Sequence, residues 1–190
     1  MRTAWRMMVT EVVEPERFVF VDECGTHTSL SPIYGYAPEG ERLHPSVPRR
    51  RGKNTTVLSS MTLGGMGASL TVEGATTARV FETYVEKVLA PSLEPGQVVV
   101  MDKLGAHRPK RIGELIEERG CELLYLPSYS PDYNPIEEAF AKIKHLLRQA
   151  ATRSREALVE AIGAALSAVS ARDARGFFEH AGYHRAAQLL

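Results

Sequence analysis

Three carboxylates stand where chemistry, rather than packing, has a use for them. Asp22 closes the apolar run Phe18-Val19-Phe20-Val21, and Asp102 closes Val98-Val99-Val100-Met101. Glu137 stands in the opening turn of an amphipathic segment that begins at Asn134-Pro135. Two acids that end apolar strands emerge at one sheet edge when those strands are parallel neighbours, and the loop 127–133 can bring Glu137 over that edge. Like charges gathered so closely push one another's pKa upward unless cations offset them. Carboxylate oxygens without histidine or cysteine suit hard ions such as magnesium or manganese. Two such ions, about 3.5 to 4 Å apart, clamp an in-line displacement at phosphorus. The chemistry in view is therefore nuclease or phosphoryl-transfer chemistry. Each acid also has a plain structural reading. A strand-end acid commonly forms a turn, Asn134-Pro135-Ile136-Glu137 is spaced like a capping box, and Glu23 and Glu138 are equally available neighbours.

The elements that must position these acids follow from hydrophobic periodicity. The chain has 190 residues, 44% hydrophobic and 24% charged, with 15 Gly and 11 Pro, which is enough for one domain with a proper core and excludes disordered or collagen-like material. A polar lead-in over 1–16 contains the only tryptophan, Trp5. Residues 17–23 read as a strand, because aromatic and β-branched residues follow one another. A second extended piece over 24–31 and a loop over 32–48 come next. Two strand-like runs, 55–63 and 68–72, are joined by Gly64-Gly65-Met66-Gly67, which reads as a hairpin turn. The period then changes to that of a helix between Thr76 and Leu93. Val98–Met101 looks like a strand buried on both faces, a helix over 109–119 is stopped by Gly120, and 121–126 is another buried strand. Asn134-Pro135 supplies a cap and a first-position proline for a helix striped by Ile136, Phe140, Ile143 and Leu147, and Ser154 caps a further helix. Three antiparallel-type strands followed by alternating helices and strands call for an α/β domain: a mixed five-stranded sheet with helices on its faces.

Charge and cysteine content limit the partners and the compartment. Lysine and arginine number 23 and so do aspartate and glutamate, so attraction to a polyanion must come from local patches. One patch is Arg42, Arg49, Arg50, Arg51 and Lys53. The other comprises Lys142, Lys144, Arg148, Arg153 and Arg155. Such residues bind phosphates and confer salt dependence while reading little sequence, although a basic stripe opposite an apolar one is also an ordinary solvated helix face. Cys24 and Cys121 are too few for a disulfide scaffold or a four-thiolate zinc site and read as reduced, buried thiols. No apolar run approaches a membrane span or a signal peptide, so the expected location is cytoplasmic.

The string Tyr129-Ser130-Pro131-Asp132-Tyr133-Asn134-Pro135-Ile136-Glu137, with Phe18–Glu23 and Val99–Asp102 upstream, resembles the catalytic domain of mariner-type DDE transposases, and more closely their bacterial insertion-sequence branch. The 34 residues between the second and third acids, 103–136, match that family's spacing. Tyr34-Gly35-Tyr36-Ala37-Pro38 with Gly40, Arg51-Gly52-Lys53-Asn54, and Asp173–Phe178 are further family-like stretches, and the resemblance covers about residues 17 to 183. It implies an RNase H-like fold over 17–183 with a C-terminal tail over 184–190. It further implies two magnesium (or manganese) ions held by Asp22, Asp102 and Glu137, and breakage and rejoining of DNA at transposon ends by water or a 3′-hydroxyl.

Lys103 stands where the family has asparagine, and a cation there either weakens metal binding or contacts a phosphate. His107, five residues after Asp102, and Asn134 are candidate auxiliary residues; a histidine at a helix start is more often a polar cap. The implied partners are double-stranded DNA and further copies of the chain on DNA. No helix-turn-helix for reading transposon ends is visible, so a separately encoded portion is expected to supply it. A DNA-binding remnant without chemistry and a stand-alone nuclease of the same fold remain as alternatives.

Overall fold

The computed structural model describes residues 5, 9, 11–42, 44, 52–102 and 110–184. Five strands form one mixed sheet: β1 (Phe18–Thr26), β2 (Thr55–Thr62), β3 (Gly65–Glu73), β4 (Val98–Met101) and β5 (Glu122–Tyr125), in the spatial order β3-β2-β1-β4-β5. β1–β2 and β2–β3 are antiparallel, whereas β1–β4 and β4–β5 are parallel. Among the described residues, the helices that flank the sheet are α1 (Ala78–Tyr84), continued by a π-helical turn over Val85–Leu89, α2 (Lys110–Glu117), α3 (Ile136–Ala150), α4 (Arg155–Ser167) and α5 (Ala171–His180). This is the RNase H-like arrangement.

Strand alternation sorts the sheet into two faces. Even-numbered Phe18, Phe20, Val98 and Val100 join a core with Phe140, Ile143 and Leu147 of α3 and Phe178 of α5. Odd-numbered Val19, Val21, Val99 and Met101 meet Phe81 and Tyr84 of α1 and Ile112 and Ile116 of α2. Aromatic rings stiffen the first of these cores. Phe20 lies edge-on to Phe178, with centroids 5.2 Å apart, and 4.9 Å from Tyr183. β4, between β1 and the edge strand β5, is wholly buried, as an all-apolar run between two helical layers must be.

Several sequence expectations shift. β1 runs on to Thr26 because residues 23–26 continue the ladder with β2, Glu23 opposite Leu58 through Thr26 opposite Thr55. Asp22 therefore lies within a strand, and the edge beside it is made by the end of β4. β5 is an edge strand, exposed at Glu122 and half-buried at its other residues, rather than fully buried. The hairpin turn is only Leu63-Gly64, since Gly65 and Met66 already pair with Thr62 and Met61 and Gly67 lies within β3 at a bulge. The lead-in is more than a polar segment: Val9 and Val13 are buried in the α3-side core, and Trp5 stacks on Tyr133, centroids 6.3 Å apart. Asn134 does not cap α3. Pro135 occupies the cap position and no side-chain bond closes that end. Ser154 caps α4 through Ala157 N–H as expected, and Ser170 and Asp173 form a reciprocal capping box on α5.

Gly65 has φ +119°, and a Cβ there would stand 2.8 Å from the Val169 carbonyl oxygen. Gly74, at φ +91°, has nothing within 4 Å of the same position. Gly65→Ala is expected to cost both left-handed strain and a steric clash, about 2 to 4 kcal/mol, and Gly74→Ala the strain alone, about 1 kcal/mol. Denaturant unfolding of the two variants checks the order.

Candidate active site

The β1–β4 ladder pairs Phe20 with Val100. Asp22 and Asp102 each follow two residues beyond that last pair, Asp22 still within β1 and Asp102 just past the end of β4. Both have the parity of Phe20 and Val100, so both face α3, the helix that carries Glu137 in its first turn. A cavity of about 420 Å³ is lined by Asp22, Asp102, Asn134 and Glu137, and by the loop 126–131. Asp22 is 5% exposed, Asp102 is half-buried, and Glu137 is exposed at the mouth.

Asp22 is held at both oxygens. Glu23 N–H donates to Oδ1 at 2.8 Å, and Asn134 Nδ2 donates to Oδ2 at 2.7 Å across 112 residues of sequence. The neighbouring acids point elsewhere. Glu23 has the opposite strand parity, and Glu138 pairs with His180 Nδ1 at 2.6 Å. Among the described residues, no three carboxylate, imidazole or thiol groups already crowd one point, so the three acids share a cavity rather than a closed coordination shell. The donor set is nevertheless all hard oxygen, and the buried Asn134 Oδ1 accepts no hydrogen bond among the described residues. A hard divalent ion fits these residues.

The basic candidates separate by what they touch. Lys142 pairs with Asp173 Oδ2 at 2.7 Å, tying α3 to α5. Lys53 and Arg155 both engage Glu73, and Arg153 donates to the Thr28 and Leu30 carbonyls at 3.2 Å. Lys144 and Arg148, one turn apart on α3, instead line a second cavity of about 430 Å³ with Gly25, His27, Leu30, Gly52 and Asn54, and neither pairs with a carboxylate among the described residues. Lys144 also lies against Cys24, two residues past Asp22 on the same strand face. Burial pushes the Cys24 thiol up, and the Lys144 ammonium partly opposes that shift. Arg49, Arg50, Arg51, Lys103 and His107 lie outside the described residues.

Sequence reasoning missed two features of this cavity. Tyr129 is 94% exposed on its rim and adopts φ +57°, a conformation that a non-glycine residue adopts only at a cost. The Asn134–Asp22 bond was hidden by the strong helix-cap signature of Asn-Pro.

The profile of the DDE superfamily endonucleases matches residues 17–159. The chain belongs to this family. No curated protein sequence matches it. Among solved structures, it is similar to Mos1 transposase in a pre-cleavage transpososome, at 17% identity and TM-score 0.76, covering 95% of this chain and 57% of that one. The Mos1 mariner paired-end complex with Mn gives 18% identity, TM-score 0.71 and coverage of 94% and 56%. The catalytic domain of Mos1 alone gives 16%, TM-score 0.64 and coverage of 95% and 85%. This member of the DDE superfamily thus shares the fold of the Mos1 catalytic domain and spans a little over half the length of the longer Mos1 chains. No helix among its described residues is long and apolar enough to cross a membrane.

The bond from Lys142, with those from the Ser170 hydroxyl and backbone, holds the Asp173 carboxyl well below the usual carboxylate range. A depressed folded-state pKa adds stability above the unfolded value, near 3.8, and that stability is lost as pH falls through the folded one. Asp173→Asn is expected to lower Tm at pH 7, with the gap to the wild type narrowing toward pH 2 in thermal scans.

Proposed function

We propose that this chain is the catalytic domain of a DDE-type transposase that cuts DNA and joins the freed ends. The reading is carried by one observation: Asp22, Asp102 and Glu137, from two strands and a helix, line a single cavity in a chain of the DDE superfamily. In this reading, attack by water or a DNA 3′-hydroxyl forms one P–O bond and breaks the P–O3′ bond, leaving a 3′-hydroxyl and a 5′-phosphate or a joined strand. Two magnesium or manganese ions, when bound, would supply Lewis acidity at the phosphate and offset the clustered negative charge. Asp22 and Asp102 would hold them from the sheet, and Glu137 from the helix side.

The DNA strand would leave this cavity along α3. Glu137 and Lys144 are seven residues, about 10.5 Å, apart along the helix, equal to about three nucleotides of one strand at about 3.4 Å of rise each. Lys144 and Arg148 would bind those phosphates. Lys53 and Lys142, already paired with carboxylates, would contribute little, and Arg49, Arg50, Arg51 and Lys103 belong to the same proposed DNA surface on charge alone. Transposon ends and target DNA as substrates and assembly of several copies on DNA are parts of the same proposal. Lys103, in the position the family gives to asparagine, favours a second reading: a domain that binds DNA without cutting it.

Plasmid nicking with magnesium or manganese decides between them. Wild type is expected to nick in a metal-dependent manner, and Asp102→Asn to nick more than about 100-fold less, beyond the usual cost of losing an outer partner of a metal ligand. Equal cutting by both, or none by the wild type, sinks the enzymatic reading. The combined change Lys144→Ala with Arg148→Ala is expected to flatten the log–log salt dependence of duplex binding by about 2, while Lys142→Ala leaves the slope unchanged.

A further inference from the structure

Asn134 is 4% exposed, lines the acid cavity and is not the helix cap that its place before Pro135 suggests. It does not cap α3, whose N-terminal end has no side-chain hydrogen bond. Its amide is not satisfied as a packing element either. Nδ2 donates to Asp22 Oδ2 at 2.7 Å, while Oδ1 is buried and accepts no hydrogen bond among the described residues. A buried carbonyl without a donor costs stability, so this side chain is a poor choice if its task is only to fill space.

The backbone around it is built to keep it in place. Tyr133 N–H donates to the Ser130 carbonyl at 3.1 Å, Asn134 N–H to Pro131 at 3.0 Å and Glu137 N–H to Asn134 at 3.1 Å. The Tyr183 hydroxyl clamps the Tyr133 carbonyl at 2.7 Å from the core side. Pro131 and Pro135 flank this turn and limit its freedom. A rigid turn therefore aims one N–H at one oxygen of the most deeply buried acid.

We propose that Asn134 is a positioning residue: it fixes the orientation of the Asp22 carboxylate so that Asp22 meets a divalent cation in the cavity without first having to be ordered. This rests on the reading of Asp22 as a metal ligand. Partners that orient a ligand from behind typically account for 10- to 100-fold in metal affinity. The amide does not touch the reacting atoms. Its effect passes through Asp22 and acts on cation binding more than on DNA binding.

The test is titration of the full chain with Mn²⁺ alone, free ion being followed by its electron paramagnetic resonance signal, with duplex binding in EDTA and thermal unfolding measured in parallel. Asn134→Ala is expected to weaken Mn²⁺ binding 10- to 100-fold and to leave duplex affinity in EDTA within about twofold. Asn134→Leu keeps the branched shape, removes both polar groups and guards against a variant that fails to fold; it is expected to show the same loss of Mn²⁺ affinity with a native circular dichroism spectrum. Either folded variant binding Mn²⁺ as well as the wild type overturns the inference and leaves the proposed function standing. Absence of Mn²⁺ binding by the wild type removes both.

Discussion

The structure depends on the parallel pairing of β1 with β4, a ladder of only three residue pairs, Phe18 with Val98 through Phe20 with Val100. That short register does two tasks. It sets Phe18, Phe20, Val98 and Val100 against the α3 layer and Val19, Val21 and Val99 against α1 and α2, so both cores are organised by it. It also aligns two acids 80 positions apart in the chain on the same face. A slip of one residue on either strand would turn that strand's acid toward the opposite face and leave the other acid alone at the cavity. The apolar packing thus enforces the geometry of the charged site: the arrangement of the acids is a by-product of burying phenylalanine and valine.

The rest of the molecule completes the site from the other side. α3 is held down by Phe140, Ile143 and Leu147, buried on the even-numbered face of the sheet, and by the Lys142–Asp173 bridge to α5. With that stripe inward, Glu137 stands at the cavity mouth and Lys144 and Arg148 face the neighbouring groove. One helix therefore contributes an acid at its start and, farther along, two cations that pair with no carboxylate among the described residues. Nearby, Glu73 is shared between Lys53 and Arg155, whereas Lys144 and Arg148 line the groove without a carboxylate partner among the described residues.

Most of the framework was legible in the sequence because burial leaves a strong pattern there. Val98–Met101 reads as a doubly covered strand and is one, and the stripe of α3 is visible at helical spacing. The five strands, their mixed directions and the shared cavity of Asp22, Asp102 and Glu137 follow from such patterns and from the family resemblance. What was hidden depends on pairing partners. The extension of β1 to Thr26 is dictated by β2, which the polar and glycine residues of 23–26 do not advertise. The docking of Val9 and Val13 needs the core they dock into. The turn of Asn134 away from its helix could not be read from Asn-Pro, since capping is a local preference and the competing acceptor on Asp22 comes from a distant strand. Charge patterning was the weakest guide, because lysines alike in sequence differ only in whether a carboxylate such as Glu73 or Asp173 happens to face them.

The mixed support of the three acids constrains which length changes the chain tolerates. Asp22 and Asp102 are fixed by sheet register, whereas Glu137 reaches the cavity through an irregular loop that leads into a helix. An added residue among 127–129 falls before the hydrogen-bonded turn that holds Asn134 and leaves every strand and helix phase intact. An added residue between Glu137 and Phe140 rotates that acid by about 100° relative to the buried stripe and carries it off the cavity. Insertions and deletions in descendants of this sequence should accordingly accumulate before the helix starts and stop abruptly within its first turn.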